Sequence, residues 1–277
     1  MSGNPGLRRT RRTARLATAA VIVIIFLLPV LYAVMIAFEK PGHFLTSPLT
    51  PPFPPAAANF GKAWSGADLG RQLVNTIIYS VTSAALSTIL GLLIAFPVAR
   101  RLVRRAPAVY TAFGIGLFLP LAIIPLFVEA RSLGLYNNLL GYIVLHVEPG
   151  LPLAVVLLTA FVTAIPAELD EAAWMDGAGY LGYLLRVVVP LTRPALLISF
   201  LYALLATWND IIGPVVLLAS PSLFPVTRGI YNFYGANQSQ WTLLAAAIVI
   251  ASLPVVALFA VSQRQLIRAA VGGSVKG

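Results

Sequence analysis

Four of the nine acidic residues in this 277-residue chain, Glu168, Asp170, Glu171 and Asp176, fall within nine consecutive positions. No reaction centre surrounds them. Cysteine is absent, which removes thiolate nucleophiles, thiolate metal sites and disulfides. His43 and His146 are the only histidines, one in a loop and one near a span end, so no zinc site is expected. No G-x4-G-K-[ST] occurs, so the chain has no phosphate loop of its own for ATP. No catalytic residue, metal or cofactor is therefore expected. An enzyme would have to assemble from scattered groups such as Asp210 and His146. What clustered carboxylates can do is pair with a basic partner surface.

Those carboxylates need an element to present them. Pro166 suits the first position of a helix, where its missing N–H costs nothing. Acids in the turn that follows favour the positive end of the helix dipole. On such a helix Glu168, Glu171 and Met175 share one face, and Leu169, Ala172, Ala173 and Asp176 the other. The two alanines would let another chain approach closely. Gly177 and Gly179 are expected to break the helix, since glycine enters left-handed conformations without strain. A second helical run follows and should stop near Pro190. Residues 166–190 thus read as helix, turn and helix outside a membrane, between two spans. The alternative is a plain solvated acidic loop.

The membrane is read from composition. The chain is 59% hydrophobic and 10% charged, where a soluble domain carries about 25% charge. The class is an all-α membrane protein with no separate soluble domain. Apolar runs cover 16–38, 73–99, 109–128, about 150–165, 194–218 and 241–261. Pro120 and Pro125 should bend the third, and a partial helix from 139, broken at Glu148–Pro152, leads into the fourth. The first run is too long for a signal-peptide core and is read as a retained span. A basic segment of residues 1–15 precedes a membrane domain over 16–265, and a tail follows over 266–277. Six spans with both ends in the cytosol put fourteen of the 19 Lys and Arg inside and five outside, as the positive-inside rule requires. The net charge of +10 therefore marks topology and not nucleic-acid binding. The same arrangement puts the acidic 166–190 loop in the cytosol, where its sign argues for a protein partner. Arg100, Arg101, Arg104 and Arg105 read as an anchor on anionic lipid, and Glu129 with Arg131 as an interfacial pair.

Glu171-Ala172-Ala173, then Gly177, then Val187-Val188-Val189-Pro190 resemble the pattern EAA-x3-G-x9-I-x-L-P. That is the cytoplasmic loop of permease subunits in ATP-binding cassette (ABC) importers. Val187 and Val189 stand where the pattern has Ile and Leu. LGLYNNLLGYIV at 133–144, VVVPLTRPAL at 187–196, TWNDIIGP at 207–214 and the terminal GGSVKG resemble the smaller permease of maltose-type carbohydrate importers. The likeness runs from about residue 72 to the end. It implies a type I importer permease fold of six transmembrane helices in a bacterial inner membrane. It also implies a second related permease, two ABC ATPase subunits and an extracytoplasmic solute-binding protein or lipoprotein. Glu168, Glu171, Ala172, Ala173, Met175, Asp176, Gly177 and Pro190 would then form a coupling loop whose helix docks on the ATPase. ATP would be hydrolysed by the partners while this chain works by alternating access.

Two further stretches are candidates. Trp208, Asn209 and Asp210 fall inside the fifth apolar run, where a carboxylate is costly unless it faces a pore or a partner. They read either as a wall of the translocation path or as a hydrogen-bonded tie between helices. Tyr231, Asn232, Tyr234 and Asn237 lie in an outer loop; resemblance implies contact with the binding protein, and the alternative is a capped loop with interfacial aromatics. Asn75 and Thr76 read as helix–helix hydrogen bonds. A permease for glycerophosphodiesters, polyamines or another solute is the nearest rival function. An ion-driven transporter working alone is a second, and it would require more embedded ionisable residues.

Overall fold

A computed structural model describes residues 5–273 apart from 48, 121 and 235–239, with side chains over 15–263 and at 265. Every regular element among the described residues is helical. The chain runs through α1 (Pro5–Ala37), α2 (Pro41–Thr46), α3 (Ala58–Gly66), α4 (Leu69–Ala99), α5 (Ala106–Gly116), α6 (Ile123–Ser132) and α7 (Leu139–Leu145). It continues through α8 (Leu151–Thr163), α9 (Glu168–Met175), α10 (Tyr180–Tyr183), α11 (Val189–Trp208), α12 (Ile212–Leu217), α13 (Val226–Tyr231) and α14 (Trp241–Gly273). Two compact units result. One is the chain up to Leu69 with Ile230–Leu253; the other is Gly70–Gly229 with the chain from Pro254 on.

Five stretches among the described residues are long and apolar enough to cross a bilayer: Arg15–Ala37, Leu69–Ala99, Leu139–Thr163, Tyr180–Trp208 and Trp241–Gln263. The expected third span, 109–128, is not one helix. It divides into α5 and α6, because Pro120 and Pro125 cannot donate backbone hydrogen bonds in an unbroken helix. The expected fifth span, 194–218, also differs. Its helix begins earlier and ends at Trp208, with α12 a separate short piece.

In the larger unit the core is built from α4, α8, α10 and α11. Leu92, Ala95, Phe96, Leu158, Val162, Tyr183, Leu184 and Val188 pack together there. Small residues let the backbones meet. A Cβ on Gly91 of α4 would collide with Ala154 of α8, so both positions demand minimal side chains. In the smaller unit, the Asn59 amide donates to the Ala37 and Glu39 carbonyls at 2.9 and 2.8 Å, tying α3 back to the end of α1.

Candidate functional site

The acidic stretch is an eight-residue helix, α9, with Glu168, Asp170 and Glu171 in its first turn. It starts two residues beyond Pro166, which stays outside the helix. Its end is a Schellman motif. The Gly177 N–H donates to Trp174 O at 3.0 Å and the Ala178 N–H to Ala173 O at 2.9 Å. Gly177 has φ +74°, the left-handed value this motif needs. Gly179 does not share that role: it is extended at φ −71° and precedes α10.

The faces of α9 differ from the sequence expectation. Ala172 and Ala173 do not form one bare surface, since neighbours stand about 100° apart around a helix. Ala173 turns inward against the core, together with half-buried Asp170. Glu168, Glu171, Ala172 and Met175 point away from it, Met175 being 88% exposed. Leu169, Trp174 and Asp176 are exposed on the flanks.

Asp170 was not singled out by the motif, yet it fastens the helix. Arg100, the first residue after α4, donates from Nη2 to Asp170 Oδ1 at 2.8 Å, and its Nε lies 2.7 Å from Oδ2. The same guanidinium donates from Nη1 to the Ile165 carbonyl at 3.1 Å. Arg100 is therefore engaged inside the protein and is not a free lipid anchor. The sequence carries no signal for this role, because a linear pattern does not show which face of the helix turns inward.

Pro190 does not stop a helix. The run from Tyr180 to Trp208 is continuous, with Leu184–Val188 in a π-turn and Pro190 in the first turn of α11. A π-turn absorbs the donor that proline lacks, so the chain stays helical through it. The second helix of the loop is thus one end of the long apolar stretch Tyr180–Trp208.

The Trp208-Asn209-Asp210 triplet sits at a helix end. Trp208 is 7% exposed and packs with Ala84, Ala203 and Leu204, so it is core and not an open wall. Asn209 is exposed and its amide donates to Leu205 O at 2.9 Å. Asp210 Oδ2 accepts from Tyr142 Oη at 3.2 Å and lies 2.8 Å from His146 Nε2. Its Oδ1 accepts from the Gly213 N–H at 3.0 Å, as an aspartate does at a helix start. Asp210 ties α7 to α12, the helix-tying alternative. Asn75 likewise donates to Ser222 O and Phe224 O at 2.9 and 3.0 Å, and Thr76 Oγ1 accepts from the Val226 N–H.

A cavity of about 550 Å³ opens elsewhere, where two chain breaks meet. One is the gap between α5 and α6, the other the 3-10 turn Glu148–Gly150 ahead of α8. Glu129, Glu148 and Tyr202 supply its polar groups, among proline and leucine side chains. Glu129 is not paired with Arg131. The Arg131 guanidinium lies 5.8 Å from the Phe127 ring and 5.6 Å from the Tyr136 ring, held by cation–π attraction. The signal for this cavity was the proline content of both breaks, since irregular backbone at membrane depth must be buried or line a cavity.

In the segment ahead of α14 Tyr231, Asn232 and Tyr234 are exposed, and Asn237 lies outside the described residues. The Tyr234 ring stands 6.0 Å from Tyr231 and 5.9 Å from Trp241, which is 6.4 Å from Phe44. This chain of rings offers flat apolar faces with hydroxyl edges.

Residues 87–270 match the family model described as "binding-protein-dependent transport system inner membrane component". The diacetylchitobiose uptake system permease protein of Streptomyces coelicolor is 30% identical over 262 residues, covering 92% of this chain and 87% of that protein. The melibiose/raffinose/stachyose import permease protein of Bacillus subtilis is 34% identical over 222 residues, with 79% and 80% covered. A solved bacterial ABC transporter involved in import of the acidic polysaccharide alginate shares the fold. Its TM-score is 0.79 at 22% identity, over 95% of this chain and 99% of that one.

Proposed function

The chain belongs to the family of binding-protein-dependent transport system inner membrane components, and from that premise we propose that it is a permease subunit of an ATP-driven importer of a sugar or oligosaccharide. The observation that carries this reading is α9, a capped acidic helix that turns Glu168, Glu171, Ala172 and Met175 away from its own core. Such a face is complementary to a basic cleft on a separate ATPase. Closure of the ATPase dimer draws α9 inward, and α9 passes the movement to the helices behind it. A second related permease completes the pore, and a solute-binding protein docks on the outer aromatic loop at Tyr231, Asn232, Tyr234 and Asn237. The two short helices α5 and α6 together make a sixth crossing.

The solute path runs past Glu129, Glu148 and Tyr202. Carboxylates accept hydrogen bonds from sugar hydroxyls and repel anions, so the cavity suits a hydroxyl-rich solute without negative charge. Permeases that import di- and oligosaccharides are among the relatives, which supports the same class.

The test is reconstitution in liposomes with the second permease, the ATPase and the binding protein. ATP turnover should rise with neutral oligosaccharides and not with glycerophosphodiesters or polyamines. Glu171→Lys should lose the ATPase subunits on purification. Uptake driven by an ion gradient, without ATPase subunits, would sink the proposal.

A further inference from the structure

The contacts of Arg100 join four segments at one point. Its guanidinium belongs to the end of α4, takes the carbonyl of Ile165 just past α8, and pairs with Asp170 of α9. Tyr183 of α10 donates its hydroxyl to the same Asp170 Oδ1. The side chains of Arg100 and Asp170 are 13% and 21% exposed, and Tyr183 is core. Ala173 of α9 also packs inward, through its methyl group. One methyl group gives little directional resistance, whereas a guanidinium hydrogen-bonded to one carboxylate oxygen, with its Nε 2.7 Å from the other, holds the carboxylate by charge and direction together. Irregular residues flank α9 on both sides, Ile165–Ala167 before it and Gly177–Gly179 after it. The backbone alone is therefore a soft link.

We infer that Arg100 and Asp170 are positioning residues for transport, the rigid link by which displacement of α9 moves α4, with Tyr183 orienting the carboxylate. The inference rests on reading α9 as the helix that meets the ATPase. A pull on α9 reaches Arg100 through two contacts to one carboxylate. From there it enters α4, whose Leu92, Ala95 and Phe96 are locked into the core with α8 and α11. Without the pair, α9 could still bind the ATPase but would slip on Ala173.

The complete transporter in liposomes tests this with Arg100→Gln, Asp170→Asn, Tyr183→Phe and the exchange Arg100→Asp with Asp170→Arg. The readouts are ATPase retention and solute moved per ATP hydrolysed. The single Arg100 and Asp170 variants should keep the ATPase and lose about tenfold in solute per ATP, the scale of a coupling free energy of 1–2 kcal/mol. The exchanged pair should recover part of that loss, and Tyr183→Phe, which keeps the ion pair, should lose less. Wild-type solute per ATP in both single variants would overturn the inference. So would loss of the ATPase or of folding in the singles that the exchange does not restore, together with wild-type coupling in Tyr183→Phe. Glu171→Lys, run alongside, separates the two claims. If it retains the ATPase, the reading of α9 fails; if it loses the ATPase while the Arg100 and Asp170 variants couple normally, only the link fails.

Discussion

Gly177 and Asp170 behave oppositely under sequence reasoning. Gly177 is legible because its demand is intrinsic: the left-handed φ of +74° closes the Schellman motif, and any side chain there is strained. Gly177→Val should cost more than Gly177→Ala, and Gly177→Asn least, with about 1 kcal/mol for alanine. Hydrogen exchange of a peptide spanning 168–180 checks this. Faster exchange in the order Asn, Ala, Val is expected, and equal rates would refute it. Asp170 is illegible because its role lies in residues 70 positions away, at Arg100. The motif directs attention to Glu171, Ala172 and Ala173, and a linear pattern does not say which of two adjacent alanines faces the core. Trp208 and Asp210 mislead for the same reason. Their types marked them as a site, while Trp208 is packed in the core and Asp210 has its polarity taken up by Tyr142, His146 and Gly213.

Helices are legible where apolarity runs on, and illegible where proline interrupts it. Three proline breaks resolve differently. The segment around Pro120 splits a span into α5 and α6, whereas Pro190 is absorbed by a π-turn and leaves Tyr180–Trp208 whole. At Pro149 the break is a 3-10 turn clasped from α4. Ser83 and Ser87, one turn apart, donate to the carbonyls of Ile143 and Val147 at 3.1 and 2.8 Å. Hydroxyls of this kind satisfy irregular backbone within a membrane. Gly150 completes the junction. A Cβ there would lie 2.7 Å from the Cβ of Ala203 and 2.9 Å from Ser87 Oγ. Gly150→Val should therefore destabilise the detergent-solubilised protein by about 1–3 kcal/mol, and Ser87→Ala by about 1 kcal/mol. Melting temperatures provide the check. An unchanged value for Gly150→Val would mean that α4, α8 and α11 do not meet as closely as this junction requires.

Across the whole chain, the number of crossings decides which side α9 faces. Five long apolar stretches alone would leave the two chain ends on opposite sides of the membrane. On the proposed reading the pair α5 and α6 supplies the sixth crossing. Eleven and ten residues give about 16 and 15 Å of helix, together the roughly 30 Å of a hydrocarbon core. The basic residues agree. With a crossing at 106–132, fourteen lie inside and five outside; without it the division falls to eleven and eight, and α9 moves to the outer face. A cysteine-free chain makes the test direct. Single cysteines replacing Val103 and Leu133, both exposed, should react with a membrane-impermeant thiol reagent from opposite sides, Val103→Cys from the cytosol and Leu133→Cys from outside. Leu169→Cys on the flank of α9 should react from the cytosol and Asn232→Cys from outside. If Val103→Cys and Leu133→Cys label from the same side, α5 and α6 only dip into the bilayer. Helix α9 would then be on the wrong side for an ATPase, and the outer aromatic loop on the wrong side for a binding protein.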